Sequence, residues 1–392
     1  MARVCPFGPP AEYAALRASE PIKKVSLKLN GRQVWLVTRY DHVRQVLSDP
    51  AISANMKAPG FPLQLQIPDE MVQAAPLTLF HMDPPVHTVH RRMVIPEFTV
   101  RRMEALRPHI QRIVDDRISS MIEHGAPADL SSALAVPVPL LVMCELLGVP
   151  YADREDLRRW GTQVTAREST PEQQARIQQE MGAYLAKLVA EKDADPADDL
   201  ISRLILKNRE ENQLELADIT SLALVLIAAG QSTANMISLG TLALLEHPER
   251  LAELKADPSL MGRAVDELAR VITIADTGGT SRVATADIEV GGVVIKAGDG
   301  VMASLNSANH DENVFPDPDR IDFHRASNNH LAFGHGVHKC VGMTLARLEL
   351  EVVYTTLFER LPGLRLAVPL DQVRFKSDDE LVYDIHELPV AW

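Results

Sequence analysis

One thiol, three glycines and two histidines crowd into ten residues near the end of the chain, Phe333-Gly334-His335-Gly336-Val337-His338-Lys339-Cys340-Val341-Gly342. Gly334 and Gly336 permit backbone angles and close approaches that a Cβ forbids, so this loop can lie flat against something planar. The pattern then turns helical, with leucine and valine at helical spacing from Met343 to Phe358, which sets Cys340 at or just before a helix N-terminus. There the helix dipole favours a thiolate, a nucleophile or metal ligand. His338, two residues earlier, can turn its ring toward an anion on the same side. The plain alternative is a buried structural cysteine.

Three further groupings could do chemistry. After Asp83-Pro84-Pro85 halts regular structure, His87 and Arg91 are four apart and share a helix face, suited to a pair of carboxylates, or else to a solvated basic face. Ala229-Gly230-Gln231-Ser232-Thr233 puts a glycine and three polar side chains inside the longest apolar run, 217–246. Such a cluster is expected to loosen the helical hydrogen-bond ladder, and the missing Cβ of Gly230 lets a flat ligand or O₂ approach. Alternatively, Ser232 and Thr233 bond back to carbonyls of the preceding turn. Glu267 and Arg270, at i and i+3, share a face of a helix expected over 260–274.

The elements that must position these residues read as mostly helical. Helical periodicity covers 101–123, 138–147 and 152–168, then 171–191 with Ser169 or Thr170 as cap; Gly148 marks a stop, and helix resumes at Leu200. Asp218 or Thr220 caps 217–246, whose polar interruption reads as a core helix rather than a membrane span. Around Asn30-Gly31 the alternation of Val25, Leu27 and Leu29 with Val34, Leu36 and Thr38 predicts a β-hairpin, followed by a helix that Asp41 caps. Ala286 to Val301 reads as strand, Gly291-Gly292 turn, strand. Residues 55–80 lack a clean period and read as a long loop with one short helix.

Composition sets the bounds. The 392 residues are 46% hydrophobic and only 5% aromatic, which favours leucine, alanine and valine helix packing, and no linker divides them, so one domain over 1–392 is expected. The net charge of −13 speaks against nucleic acid. Cys5, Cys144 and Cys340 are odd in number and widely spaced, which excludes a disulfide framework and fits a reducing cytoplasm. Residues 1–30 hold no long apolar core, so neither a signal peptide nor a membrane anchor is expected.

The segment Phe333 to Gly342 fits Phe-x-x-Gly-x-x-x-Cys-x-Gly and resembles the haem-binding loop of the cytochrome P-450 superfamily. The resemblance implies a mainly α, roughly triangular single domain with a small β-rich region. Haem b would be the cofactor, with Cys340 as the iron ligand, Phe333 beside the sulfur, and Gly342 completing the loop. His87, Arg91, Arg282 and His338 would meet the haem propionates. Ala-Gly-Gln-Ser-Thr resembles the family's oxygen groove, in which Thr233 matches the threonine that hydrogen-bonds dioxygen and passes it protons. Ser232 stands where the family carries an acid, and a hydroxyl does not replenish protons as a carboxylate does, so delivery would run through water, Gln231 or a substrate hydroxyl. Glu267 and Arg270 match a buried Glu-x-x-Arg pair locked to a later arginine, here Arg320 or Arg325. Asp276 to Thr280, 60–80 and 160–190 would line or cover the substrate.

Val-Asp-Glu-Leu-Ala-Arg, Ser-Ala-Asn-His-Asp at 307–311 and His-Leu-Ala-Phe-Gly-His-Gly at 330–336 look most like soluble bacterial members that tailor macrolides and other secondary metabolites. The implied reaction is O₂-dependent hydroxylation or epoxidation of a largely hydrophobic small molecule by a monomer. Electrons would come from a ferredoxin and its NAD(P)H-dependent reductase, docking near Arg92, Arg101, Arg102 and Lys339. Two rivals stand beside it. A nitric oxide reductase of the same family, taking electrons directly from NAD(P)H, also lacks the acid before the threonine. A non-catalytic haem-binding protein would need no oxygen-groove threonine at all.

Overall fold

The computed structural model describes residues 6–28, 30–64, 68–165, 171–272, 274, 279–375 and 383–392. The expected caps Ser169 and Thr170, and the pocket residues Asp276 to Gly278, lie outside them. The helices that carry the argument are α1 (Tyr40–Ser48), α2 (Val86–Val94), α3 (Val100–His124), α4 (Pro137–Leu147), α5 (Leu200–Glu211), α6 (Leu216–Glu246), α7 (Met261–Val271) and α8 (Met343–Arg360). The strands are β1 (Ile22–Ser26), β2 (Gln33–Val37), β3 (Ile52–Ser53), β4 (Thr280–Ala284) and β5 (Gly300–Ala303). The fold is mainly α with small sheets, as expected.

The chain forms two compact units, Met1–Asp83 with Leu239–Met343 and Arg374–His386, and Pro84–Ser238 with Thr344–Val373 and Glu387–Trp392. Each gathers three separated stretches, so neither is a contiguous sequence domain.

The first unit is built on a five-stranded sheet in the order β1-β2-β5-β4-β3. β2 and β5 run parallel, with Trp35 opposite Val301, and β4 is antiparallel to β5, with Arg282 opposite Val301. Ser53 of β3 pairs with Val283 of β4. The hairpin expected at Asn30-Gly31 forms, but its strands end at Ser26 and Gln33, so its loop is longer than two residues. Val293–Ile295 does pair with Ile288–Val290 across Gly291-Gly292, both at positive φ; β5 is a separate strand. α1 turns Val43, Val46 and Leu47 into a core with Val37, Val301, Ala303 and Phe315. Asp41 is not its cap. It lies in the first turn, and the amide of Tyr40 instead donates to Oδ2 of Asp311, at 3.0 Å, a partner 271 residues away.

The second unit is a helical assembly. Asp199 caps α5 by accepting from the Ser202 amide at 2.9 Å, and α4 ends at Gly148 in the left-handed region, where a Cβ would meet the Asp199 carboxyl at 2.5–2.6 Å. At the start of α6, Asp218 accepts from the Glu215 amide at 2.9 Å, and Thr220 bonds back to the Leu216 carbonyl at 3.0 Å, so the helix begins ahead of both expected caps. By length and composition α6 is apolar enough to cross a membrane, despite its polar interruption. However, 67% of its apolar window is buried, as in a core helix. The loosening expected at 229–233 is absent: the α-helix is continuous from Leu216 to Glu246. In the second unit, Tyr354 of α8 donates to the Met236 carbonyl of α6 at 2.5 Å.

Candidate active site

The loop ahead of α8 is a sequence of tight local bonds. The Gly334 amide donates to the Leu331 carbonyl and the Cys340 amide to the Phe333 carbonyl, both at 2.8 Å, while Lys339 donates to Gly336 at 3.1 Å. Gly336 has φ +69, and a Cβ there would stand 2.2 Å from the Leu47 carbonyl of α1, so only glycine lets the loop seat on that helix. Phe333, His338, Cys340 and Gly342 are thereby brought together, with the Cys340 thiol exposed three residues before α8 begins. Leu331 anchors the loop's root, its amide donating to Asn309 Oδ1 at 2.6 Å. Cys144 is the contrast: it is fully buried in α4, and burial pushes its thiol up to about 12, the mark of an inert structural cysteine.

Behind this loop lies the ion-pair lock. Glu267 and Arg270 are both fully buried on α7 and make a bidentate pair at 2.8 and 2.9 Å. The third member is Arg325, whose Nε donates to Glu267 Oε1 at 2.8 Å. Arg320 contributes only its carbonyl, which accepts from Arg270 at 3.3 Å and Arg325 at 2.9 Å. Arg325 also binds the Pro316 and Asp317 carbonyls, and thus ties down the proline-rich meander.

In the same unit Arg282 is partly buried on β4. Loss of water pulls its guanidinium down to about 10, against the opposing charge of Asp83. Its hydrogen bond among the described residues is to the Ser281 carbonyl, 2.7 Å away.

The second unit holds the rest. On α2, His87 is 1% exposed, which rejects the solvated basic face on that side; Arg91 lies a turn later, and Arg92 points outward to Glu211 at 3.0 Å. On α6, Thr233 is buried while Ser232 is exposed, and Gln231 Nε2 donates to Asn235 Oδ1 at 2.7 Å. Among the described residues neither hydroxyl makes the bond to the preceding turn that Thr220 makes, so the purely local explanation fails for both. Of the expected docking cations, Arg102 is engaged by Glu97 at 3.4 Å and Arg92 by Glu211 at 3.0 Å, while Arg101 and Lys339 are exposed.

A haem needs an accessible thiolate, a loop without side chains on its flat side, and cations for two carboxylates. The exposed Cys340 on a glycine-bearing loop, together with the water-stripped guanidinium of Arg282, fits that group. Sequence reasoning missed two residues. Glu349 of α8 is buried, and burial alone pushes its carboxyl up to about 8. His81 stands two residues before Asp83, between the loop read over 55–80 and the halt read at Asp83-Pro84-Pro85, where no periodic pattern marks it.

Residues 158–364 match the family model described as Cytochrome P450. The chain is 45% identical over all of its length to pentalenic acid synthase from Streptomyces avermitilis, covering 96% of that protein. It is 41% identical to 20-oxo-5-O-mycaminosyltylactone 23-monooxygenase from Streptomyces fradiae, over 100% of this chain and 91% of that one. The crystal structure of cytochrome P450 MoxA from Nonomuraea recticatena superposes with a TM-score of 0.94 at 47% identity, covering 100% of this chain and 97% of that one. The chain belongs to the cytochrome P450 family. It is a haem-thiolate monooxygenase with haem b as its cofactor, and neither the nitric oxide reductase nor the non-catalytic alternative is retained.

Proposed function

We propose that this monooxygenase hydroxylates or epoxidises a largely hydrophobic secondary metabolite of macrolide or other polyketide type. The observation that carries the substrate class is similarity over the whole chain to a 20-oxo-5-O-mycaminosyltylactone 23-monooxygenase, at 41% identity. When bound, the haem supplies reductive activation of O₂, and thiolate ligation favours O–O cleavage. Cys340 would hold the haem iron, with Phe333 and Gly342 as its neighbours in the loop. His87, Arg91, Arg282 and His338 neutralise the carboxylates.

Thr233 holds and passes a proton at Oγ1. Ser232, being exposed, exchanges protons with water in place of the missing acid. The Gln231 amide, committed to Asn235, orients the turn rather than titrating. Residues 60–80 and 160–190 cover the substrate, and 1–392 act as one functional domain in the cytoplasm, as a monomer. A small acidic ferredoxin, itself reduced by an NAD(P)H-dependent reductase, supplies the electrons, docking near Arg92, Arg101, Arg102 and Lys339.

The test is an optical titration of the ferric protein with macrolides, other polyketides, terpenoids and fatty acids. A low-spin to high-spin shift confined to the polyketide panel is expected. A shift only with terpenoids or fatty acids, or with no compound in protein whose reduced carbon monoxide spectrum shows thiolate ligation, overturns the substrate class.

A further inference from the structure

The loop before α2 is bolted to the strand that carries Arg282, and the bolts converge on one side chain. Ser281 donates to the Pro62 carbonyl at 2.9 Å, and Gln64 Nε2 donates to Ser281 Oγ at 2.9 Å and to the Gly279 carbonyl at 3.1 Å. The Phe61 ring meets the His81 ring edge-on, with centroids 6.2 Å apart. From the other side, Asp83 accepts from the Ser53 hydroxyl and, at 2.8 Å, from the Ala54 amide, and Ser53 pairs with Val283, the neighbour of Arg282. Met82, between His81 and Asp83, is buried, while His81 and Asp83 are partly buried.

Asp83 does not satisfy Arg282. Both its oxygens are committed to Ser53 and Ala54, and among the described residues no carboxylate lies within ion-pair distance of Arg282. A guanidinium has five donors, and Arg282 spends one on Ser281. The Arg282 charge acts on the ring of His81, which packs edge-on against Phe61. Its Nδ1 lies 3.3 Å from the Thr78 hydroxyl, which can donate to it and so leave the ring's N–H on Nε2.

We propose that His81 is a haem-carboxylate ligand, a partner of Arg282, through which the loop ending at Asp83 is fastened to the cofactor. This rests on the reading that Arg282 meets a haem carboxylate. His81 donates Nε2–H to the carboxylate as a neutral ring, since burial and the Arg282 charge hold its pKa below the usual histidine range. A hydrogen bond to a charged acceptor in a water-poor site is strong enough to slow cofactor loss measurably.

The experiment measures transfer of cofactor from the loaded enzyme to excess apomyoglobin. Each protein is loaded either with haem or with haem dimethyl ester, whose carboxylates are blocked. His81→Phe is expected to speed haem loss about tenfold and leave ester loss unchanged. Equal acceleration with both, or none with haem, overturns the proposal. Arg282→Gln is run alongside. If its effect also ignores the ester block, the Arg282 reading fails; if it respects the block while His81→Phe does not, only the proposal for His81 fails. Should His81→Phe not load, Thr78→Val, which removes only the hydroxyl at Nδ1, carries the same comparison, with an expected factor of about three.

Discussion

The identity of the third arginine in the buried lock has a measurable cost. Glu267 accepts from Arg270 at 2.8 and 2.9 Å, from Arg325 at 2.8 Å, from the Asp322 amide at 2.9 Å and from Asn328 at 3.2 Å, with no exposure to water. Arg270→Ala removes the bidentate partner and also the bond to the Asn309 carbonyl, leaving a buried charge half-compensated; removing one partner of such a pair costs about 3–5 kcal/mol. Arg325→Ala leaves Arg270 in place but loses the Glu267 bond and the bonds to the Pro316, Asp317 and Arg320 carbonyls, so about 3 kcal/mol is expected. Arg320→Ala keeps the carbonyl and loses only an exposed side chain, so its cost is within about 0.5 kcal/mol. Set against a stability of about 5–15 kcal/mol, the first two lower the urea midpoint substantially and reduce haem content, whereas the third does neither. Urea unfolding followed by far-ultraviolet dichroism, with haem per polypeptide measured in parallel, decides it. An Arg325→Ala midpoint equal to that of Arg320→Ala refutes the reasoning.

Gly336→Ala must move the Leu47 backbone and hold a left-handed φ, so haem loading should fail; Gly334→Ala, also at positive φ but with nothing nearer than 3.7 Å, should cost only about 1–2 kcal/mol and still load. Ser232→Asp is expected to leave the urea midpoint unchanged, raise product formed per NAD(P)H, and shrink the solvent deuterium effect on turnover; an unchanged ratio would mean that proton supply at this turn is not limiting. Glu349, with its carboxyl raised to about 8 in the fold, is protonated there when the unfolded carboxyl is already ionised. Its contribution is therefore complete below the unfolded value of about 4.3, and is lost as pH rises toward 8 by about 1.4 kcal/mol per pH unit. Glu349→Gln should flatten that slope in urea midpoints measured from pH 5 to 8, and an unaltered slope would count against it.

Much of the architecture was legible because helices and caps are local. Val43, Val46 and Leu47 face inward as their spacing dictates, and Gly148 ends α4 as a left-handed cap. What was not legible depends on partners far along the chain. Asp41 looked like a cap by type and place, yet Asp311 does the work. Arg320 and Arg325 were equivalent by sequence, because whether an arginine offers its side chain or only its carbonyl is a property of the folded meander. The polar turn in α6 was expected to distort the helix. Instead Gln231 and Asn235 satisfy one another at i and i+4, which spares the backbone ladder any competition.

That substitution of side-chain pairing for distortion bears on how the enzyme manages without an acid before Thr233. A carboxylate at 232 would hold a charge on an exposed face of α6 and so draw protons from solvent by itself. Serine offers no charge, so in the relay proposed above the supply comes from water at the exposed face, and Thr233, buried one residue on, is the group proposed to pass the proton inward. A hydroxyl relay with no ionisable member sets no pKa of its own in this range. The pH dependence of turnover should therefore report the substrate and the electron donor rather than this helix, and Ser232→Asp is the change that would restore a titrating step.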